Sequence, residues 1–192
     1  MQTQTPRTRG PGCEPGYRPR PHDNCYWVVA GQLLAGEHPS STASAVAAAC
    51  IDALLAAGVR QFIDLTAEGE GPEPYAALLL ARDPTVAHRR FAISDFGVPS
   101  AALMRSALDA IYAAMGARET IYLHCWGGVG RTGTVVGCLL REQGYSAPEA
   151  FGRLESKWRA MEKRARHPHS PETAAQIALI EQWERTGRTR LR

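Results

Sequence analysis

The stretch TIYLHCWGGVGRTGTVVGCLLREQG, residues 120–144, reads as three elements in succession. Residues 120–125 are rich in β-branched and aromatic side chains and predict a buried strand. Residues 131–144 place Val135, Cys138 and Leu139 at helical spacing and stop at Gly144, which predicts a helix. Between them Gly127, Gly128 and Gly130 form a loop whose backbone can take positive φ and come close to a ligand. A loop that feeds a helix N-terminus leaves N–H groups unpaired at the positive end of the helix dipole, and that is an anion site. Arg131 adds a planar fork of donors matched to two oxygens of a phosphate.

Cys125 then lies at the floor of the cradle. The N–H groups, dipole and arginine that favour phosphate also favour a thiolate. A thiolate facing a bound phosphorus is placed for in-line attack. Thr132 is expected to donate its hydroxyl to the sulfur, and His124 to brace the loop through backbone hydrogen bonds rather than act as a base. The run His124-Cys125-x5-Arg131-Thr132-Gly133 resembles the signature of the cysteine-dependent protein tyrosine phosphatase superfamily, in particular its small dual-specificity and Cdc14-like branch. The resemblance implies Cys125 as nucleophile and Arg131 as transition-state clamp. Trp126, Gly127, Gly128, Val129, Gly130 and Arg131 become the phosphate-binding loop, and the reaction is phosphomonoester hydrolysis through a phosphocysteine. Neither a metal nor an organic cofactor is implied. The plainer alternative, a glycine-rich turn around a buried cysteine, leaves most of these positions without a role.

The 192-residue chain fits one domain with a substantial core, and 44% hydrophobic with 21% charged residues is ordinary for a globular protein. No apolar run approaches the roughly 18 residues of a membrane span, so no membrane partner is expected. Five cysteines form no disulfide framework and point to a reducing, cytoplasmic setting. The net charge of +3 is too mild to argue for nucleic acid, and a monomer is the expectation. Residues 1–24 hold five prolines and four arginines and read as a mobile extension. Residues 25–186 form the expected phosphatase domain, and residues 187–192 a solvated basic tail.

Across that domain strands and helices alternate. Two short strands flank Gly31, a helix follows up to Gly58, and RQFIDLT (residues 60–66) is a strand. A short helix over residues 74–82, a strand over 86–93 and a helix through Leu103, Ala107 and Ala114 lead to the strand at 120. Two further helices are predicted near residues 148–166 and 171–185. The alternation implies a single α/β domain with a central, mostly parallel sheet flanked by helices, and the loop at a strand's carboxyl end.

The leaving oxygen of a phosphate ester needs a proton, and Asp95 in FAISDFGVPS (residues 91–100) lies between a strand and a helix. This resembles the family's general-acid loop, with Asp95 as acid; the competing reading is a turn residue before the helix at Ser100. SPETAAQ (residues 170–176) is similar to a segment that aligns water on the phosphoenzyme in some family members. Gln176 matches its second glutamine, while Glu172 replaces the first. First-turn helix residues are the simpler reading of this segment. Asp64 is expected to cap a strand end, and residues 167–169 (HPH) form a loop without metal-ligand spacing. Six basic and two acidic residues over 153–166 read as a solvated helix face that can draw in acidic substrates.

The expected partner is a phosphorylated protein or a small phosphomonoester. An RNA 5′-phosphatase or an inositol phosphate phosphatase shares the loop and stays open. A rhodanese-like sulfurtransferase needs neither Asp95 nor Thr132, and a non-catalytic phosphate-binding module needs neither Cys125 nor Arg131.

Overall fold

Successive side chains of a strand point to opposite faces, so a strand buried on both sides needs a helical layer on each. The computed structural model describes residues 18–40, 44–70 and 75–187. Its elements are β1 (Cys25–Val29), β2 (Leu33–Gly36), α1 (Ser44–Ala56), β3 (Val59–Asp64), α2 (Ala76–Arg82) and β4 (Ala87–Arg90). Then come α3 (Ala101–Gly116), β5 (Thr120–His124), α4 (Gly130–Glu142), α5 (Ala147–Trp158), a 3-10 turn (Glu162–Ala165) and α6 (Ala174–Gln182). Among the described residues the strands form one sheet in the order β1-β2-β5-β3-β4. β1 and β2 are an antiparallel hairpin, and the other pairings are parallel.

β5 lies at the centre and is buried along nearly its whole length. Ile121 and Leu123 join a core with Leu33, Ile63 and the inner faces of α3 and α4. Tyr122 faces the other way and packs with Leu34, Phe62, Ile51 and Leu79 beneath α1 and α2. Each such large side chain contributes about 1.5–3 kcal/mol by leaving water. α4 is buried over nearly all of its length because α5 and α6 cover its outer side. A β-carbon on Gly137 would lie 2.7 Å from Cγ1 of Ile180, so only glycine lets α6 approach this closely. The helix that carries Arg131 is thereby clamped between sheet and helices.

Three boundaries differ from the periodicity. The helix expected over residues 148–166 ends at Trp158 and resumes as the 3-10 turn. Trp158 and Met161 are both buried, and Trp158 Nε1 donates to the His167 carbonyl at 2.8 Å. The Glu162 and Lys163 amides donate to Asp23 and Asn24, so the chain leaves the helix to reach them. The predicted basic face is thus split between two elements. α6 begins only at Ala174, because Thr173 and Gln176 form a reciprocal capping box; Pro171 and Glu172 therefore precede the helix instead of forming its first turn. At the N-terminal side, residues 18–24 are not a free extension. His22 Nε2 lies 3.1 Å from the Tyr122 hydroxyl, and Asn24 Nδ2 donates to Glu37 at 3.1 Å. Residues 1–17 and 188–192, which hold the rest of the expected extension and most of the basic tail, lie outside the described residues.

Candidate active site

The carboxyl end of β5 delivers Cys125, 2% exposed, directly into the loop before α4. Four carbonyls of this loop are tied down from behind. Cys125 O faces His124 Nδ1 at 3.3 Å, and Trp126 O accepts the His38 amide at 3.0 Å. Gly127 O accepts from Lys163 Nζ at 3.2 Å, and Val129 O from the Ser170 hydroxyl at 2.7 Å. In a trans peptide the N–H lies opposite the carbonyl, so the amides of Trp126, Gly127, Gly128 and Gly130 are turned toward the concave side. The Gly128 amide accordingly donates to Cys125 Sγ at 3.2 Å.

Gly128 is the position where glycine is required. Its φ is +74°, and a β-carbon there would lie 2.6 Å from the Gly36 carbonyl carbon and 2.7 Å from the Glu37 amide. Val129, the residue before α4, offers no side-chain cap, which leaves the helix N-terminus open to an anion.

Arg131 is only 2% exposed, and its guanidinium is committed on one side. Nη1 donates to Glu70 at 2.7 Å and to the Ile93 carbonyl at 3.1 Å, and Nη2 donates to the other Glu70 oxygen. Nη2 also donates to Asp95 at 2.9 Å. The Arg131 charge holds the Glu70 carboxyl below its ordinary value. Asp95 is separate from the entry of α3, where Ser100 caps the helix by accepting the Leu103 amide at 3.1 Å. The Asp95 side chain is 54% exposed, so its contact with Arg131 is the more easily exchanged of the two.

Gly127 and Val129 of the loop border a cavity of about 280 Å³ walled by Asp95, Phe96, Trp126 and Glu172 on one part of its rim. Lys163, Arg166 and His167 wall another part. Trp126 and Lys163 also border a neighbouring cavity of about 370 Å³. Phe96, at φ +56°, and Trp126 both present large apolar surface to solvent.

Several expected contacts are absent or different. Thr132 is fully buried, but its hydroxyl makes no hydrogen bond among the described residues, to Cys125 or otherwise. α4 holds the Thr132 backbone in its first turn, and this side-chain rotamer does not reach an acceptor. Gln176 sits over Gly130, and three hydrogen bonds hold its amide. Oε1 accepts the Glu172 and Thr173 amides at 3.2 Å each, and Nε2 donates to the Gly97 carbonyl at 3.1 Å. It therefore caps α6 and ties down the Asp95 loop. Asp64 does more than cap a strand. It is fully buried and accepts from the Thr66 amide and hydroxyl at 2.8 and 2.6 Å, from His88 at 3.1 Å and from Arg90 at 3.1 Å.

Behind Cys125, burial pushes the His124 imidazole down to about 3 and outweighs the opposite pull of Asp64. Burial likewise lowers His38 to about 4. The ligand atoms of His38, Asp64 and His124 lie within 4.8 Å of one another. Their lone pairs are already in use, however. His38 Nδ1 accepts the Ser40 amide at 3.2 Å, His124 Nε2 pairs with the Tyr75 hydroxyl, and Asp64 Oδ1 is filled by Thr66. This donor set suits a hydrogen-bonded network better than a cation.

Glu70 was not singled out from the sequence, and Lys163, Arg166 and Ser170 were read only within the stretches 153–166 and 170–176. A carboxylate in the loop after β3 was the available signal, because open α/β sheets bind ligands outside the carboxyl ends of their strands.

A sheet of this order, carrying a cysteine and an arginine around an amide-lined loop at its central strand, defines a member of the cysteine-dependent protein tyrosine phosphatase superfamily. The family model described as "PTP-SAK: Swiss Army Knife protein, DSP-PTPase phosphatase domain" matches residues 22–180, and the chain belongs to that family. Among solved structures it is similar to Tk-PTP in its active form, with TM-score 0.67 and 22% identity over 84% of this chain and 96% of that one. The kinase associated phosphatase with its catalytic-site cysteine substituted by serine aligns with TM-score 0.65 and 17% identity, over 84% and 92% of the two chains. PTPMT1 in complex with PI(5)P aligns with TM-score 0.63 and 17% identity, over 84% and 94%. No curated protein sequence matches the chain significantly. Among the described residues no helix is long and apolar enough to cross a membrane.

Proposed function

We propose that this phosphatase hydrolyses phosphomonoesters through a phosphocysteine on Cys125, with aryl phosphates and phosphotyrosine proteins as its preferred substrates. The observation that carries the reading is the convergence of Cys125 Sγ, the inward amides of Trp126, Gly127, Gly128 and Gly130 and a pre-oriented Arg131 that reaches Asp95 at the edge of the adjoining cavity. Glu70 and Ile93 hold the far side of the guanidinium, so the side bearing Nε and Nη2 faces the incoming phosphate. The phosphate displaces Asp95 from Nη2 and frees its carboxyl for the ester oxygen.

In the first step the thiolate forms a bond to phosphorus, the ester P–O bond breaks, and Asp95 gives its proton to the leaving oxygen; such assistance gives ~10²–10⁴-fold in rate. In the second step water attacks the phosphocysteine, Asp95 accepts its proton, and the P–S bond breaks. The Gly128 amide, and the Thr132 hydroxyl after a rotation about its Cβ, stabilise the departing sulfur. With its imidazole lowered to about 3 by burial, His124 is neutral near pH 7 and positions the loop without acting as a base.

Phe96 and Trp126 offer flat apolar surface to an aryl ring. A second reading, inositol phosphates, is favoured by Lys163, Arg166 and His167 on the rim. Lys163 is already paired with Glu37, which leaves less charge for a second phosphate and ranks that reading below the first. A panel of phosphotyrosine, phosphoserine and phosphothreonine peptides, inositol phosphates and 5′-phosphorylated RNA tests the assignment. The highest kcat/KM is expected for phosphotyrosine; a higher value for an inositol polyphosphate or RNA refutes the preference.

A further inference from the structure

Two carboxyl groups share the cavity above the phosphate loop. Asp95 comes from the loop before α3, and Glu172 from the loop before α6. Glu172 stands over Gly130: a β-carbon on that glycine would run into Oε1 of Glu172 and lie 2.8 Å from Oε1 of Gln176. The Gly130 amide is one of those turned toward the concave side, so the Glu172 carboxyl stands beside the loop's anion-binding groups. Gln176 is locked by its own bonds, whereas Glu172 is solvent-exposed and its side chain can turn outward.

The charged groups around Glu172 come from every neighbouring element. Asp95 opposes its ionisation, while Arg131 on α4 and His167 after the 3-10 turn favour it. Lys163 and Arg166 wall the same cavity from the 3-10 turn and just beyond it. Arg131 is already countered by Glu70 and Asp95, so an incoming oxyanion meets a cradle that holds acidic groups of its own.

Resting on the reading of residues 125–131 as an oxyanion cradle, we propose that Glu172 is an affinity gate on the phosphate loop. As a carboxylate beside Gly130 it repels a dianion; as a carboxylic acid it does not. Glu172 is thus a specificity-determining residue that disfavours dianionic ligands as pH rises. Partial burial and the nearby Asp95 raise its ionisation above the ordinary glutamate value. The sign follows directly: affinity for a dianion is highest below that value and falls as pH rises through it.

Tungstate, a dianion over this range, is the probe, titrated calorimetrically at fixed ionic strength into the full chain from about pH 5 to about pH 8. A like charge a few ångströms from a dianion in near-aqueous surroundings changes affinity by about tenfold. Glu172→Gln should therefore bind tungstate about tenfold tighter than wild type near pH 8, with the ratio shrinking as pH falls. Glu172→Ala, which also removes the charge, should behave alike if the glutamine perturbs the loop. Equal or weaker binding by both variants near pH 8, or a gain independent of pH, overturns the gate and leaves the cradle intact. If no protein binds tungstate at any pH, the cradle fails and the gate fails with it.

Discussion

Removing Glu70 strikes stability and chemistry through one atom group. The Arg131 side chain is 2% exposed and that of Glu70 22% exposed. Breaking a fully buried ion pair from one side costs about 3–5 kcal/mol. Here Glu70 is partly solvated, and Asp95 and the Ile93 carbonyl remain as partners, so Glu70→Ala should cost about 2–3 kcal/mol. The guanidinium also loses the contact that fixes its plane, and misplacement of such a clamp lowers kcat/KM by about 10²-fold. Glu70→Gln keeps an acceptor without the charge and should fall between wild type and alanine. Urea unfolding, followed with and without tungstate, together with steady-state kinetics, measures both effects. Tungstate should restore part of the lost stability, because a bound anion supplies the missing negative charge. An alanine variant with wild-type urea midpoint and wild-type kcat/KM refutes the claim that Glu70 pre-orients Arg131.

Two further outcomes are expected. His38 and His124 have folded-state values of about 4 and about 3, below the ordinary 6.5, so the unfolded chain takes up protons that the fold does not. Stability is therefore full above about pH 6.5 and falls by about 1.4 kcal/mol per pH unit for each histidine down to about pH 4; urea midpoints measured across that window check it, and a flat profile contradicts it. Asp95→Asn should slow esters with poor leaving groups far more than nitrophenyl-type esters and flatten the basic limb of the kcat/KM profile; equal loss for both ester classes removes Asp95 as proton donor.

The strand, loop and helix at residues 120–144 were legible because apolar periodicity and glycine placement are local signals. So was the union of Cys125, Arg131 and the loop amides, since seven consecutive residues fix it. What periodicity missed depends on distant partners. The break after Trp158 follows from Met161 entering the core and from amides donated to Asp23 and Asn24, more than a hundred residues earlier in the chain. Glu70 escaped notice for the same reason, and Lys163 read only as part of a solvated basic face, until the fold carries one to Arg131 and the other to the Gly127 carbonyl. Of the chain's 22 basic residues only Lys157 and Lys163 are lysines, and both donate to backbone carbonyls, at Trp27 and Gly127. Asp95 was legible as a candidate, but its contact with Arg131 was not.

The central claim is a covalent phosphate on Cys125. Rapid acid quench of the full chain during turnover of an aryl phosphate, followed by peptide mass spectrometry, measures it directly. The phosphate should be found on the peptide carrying Cys125 and on no other, and Cys125→Ser should show neither adduct nor turnover while still binding tungstate. Turnover by the serine variant, or phosphate trapped on a different residue, contradicts the account.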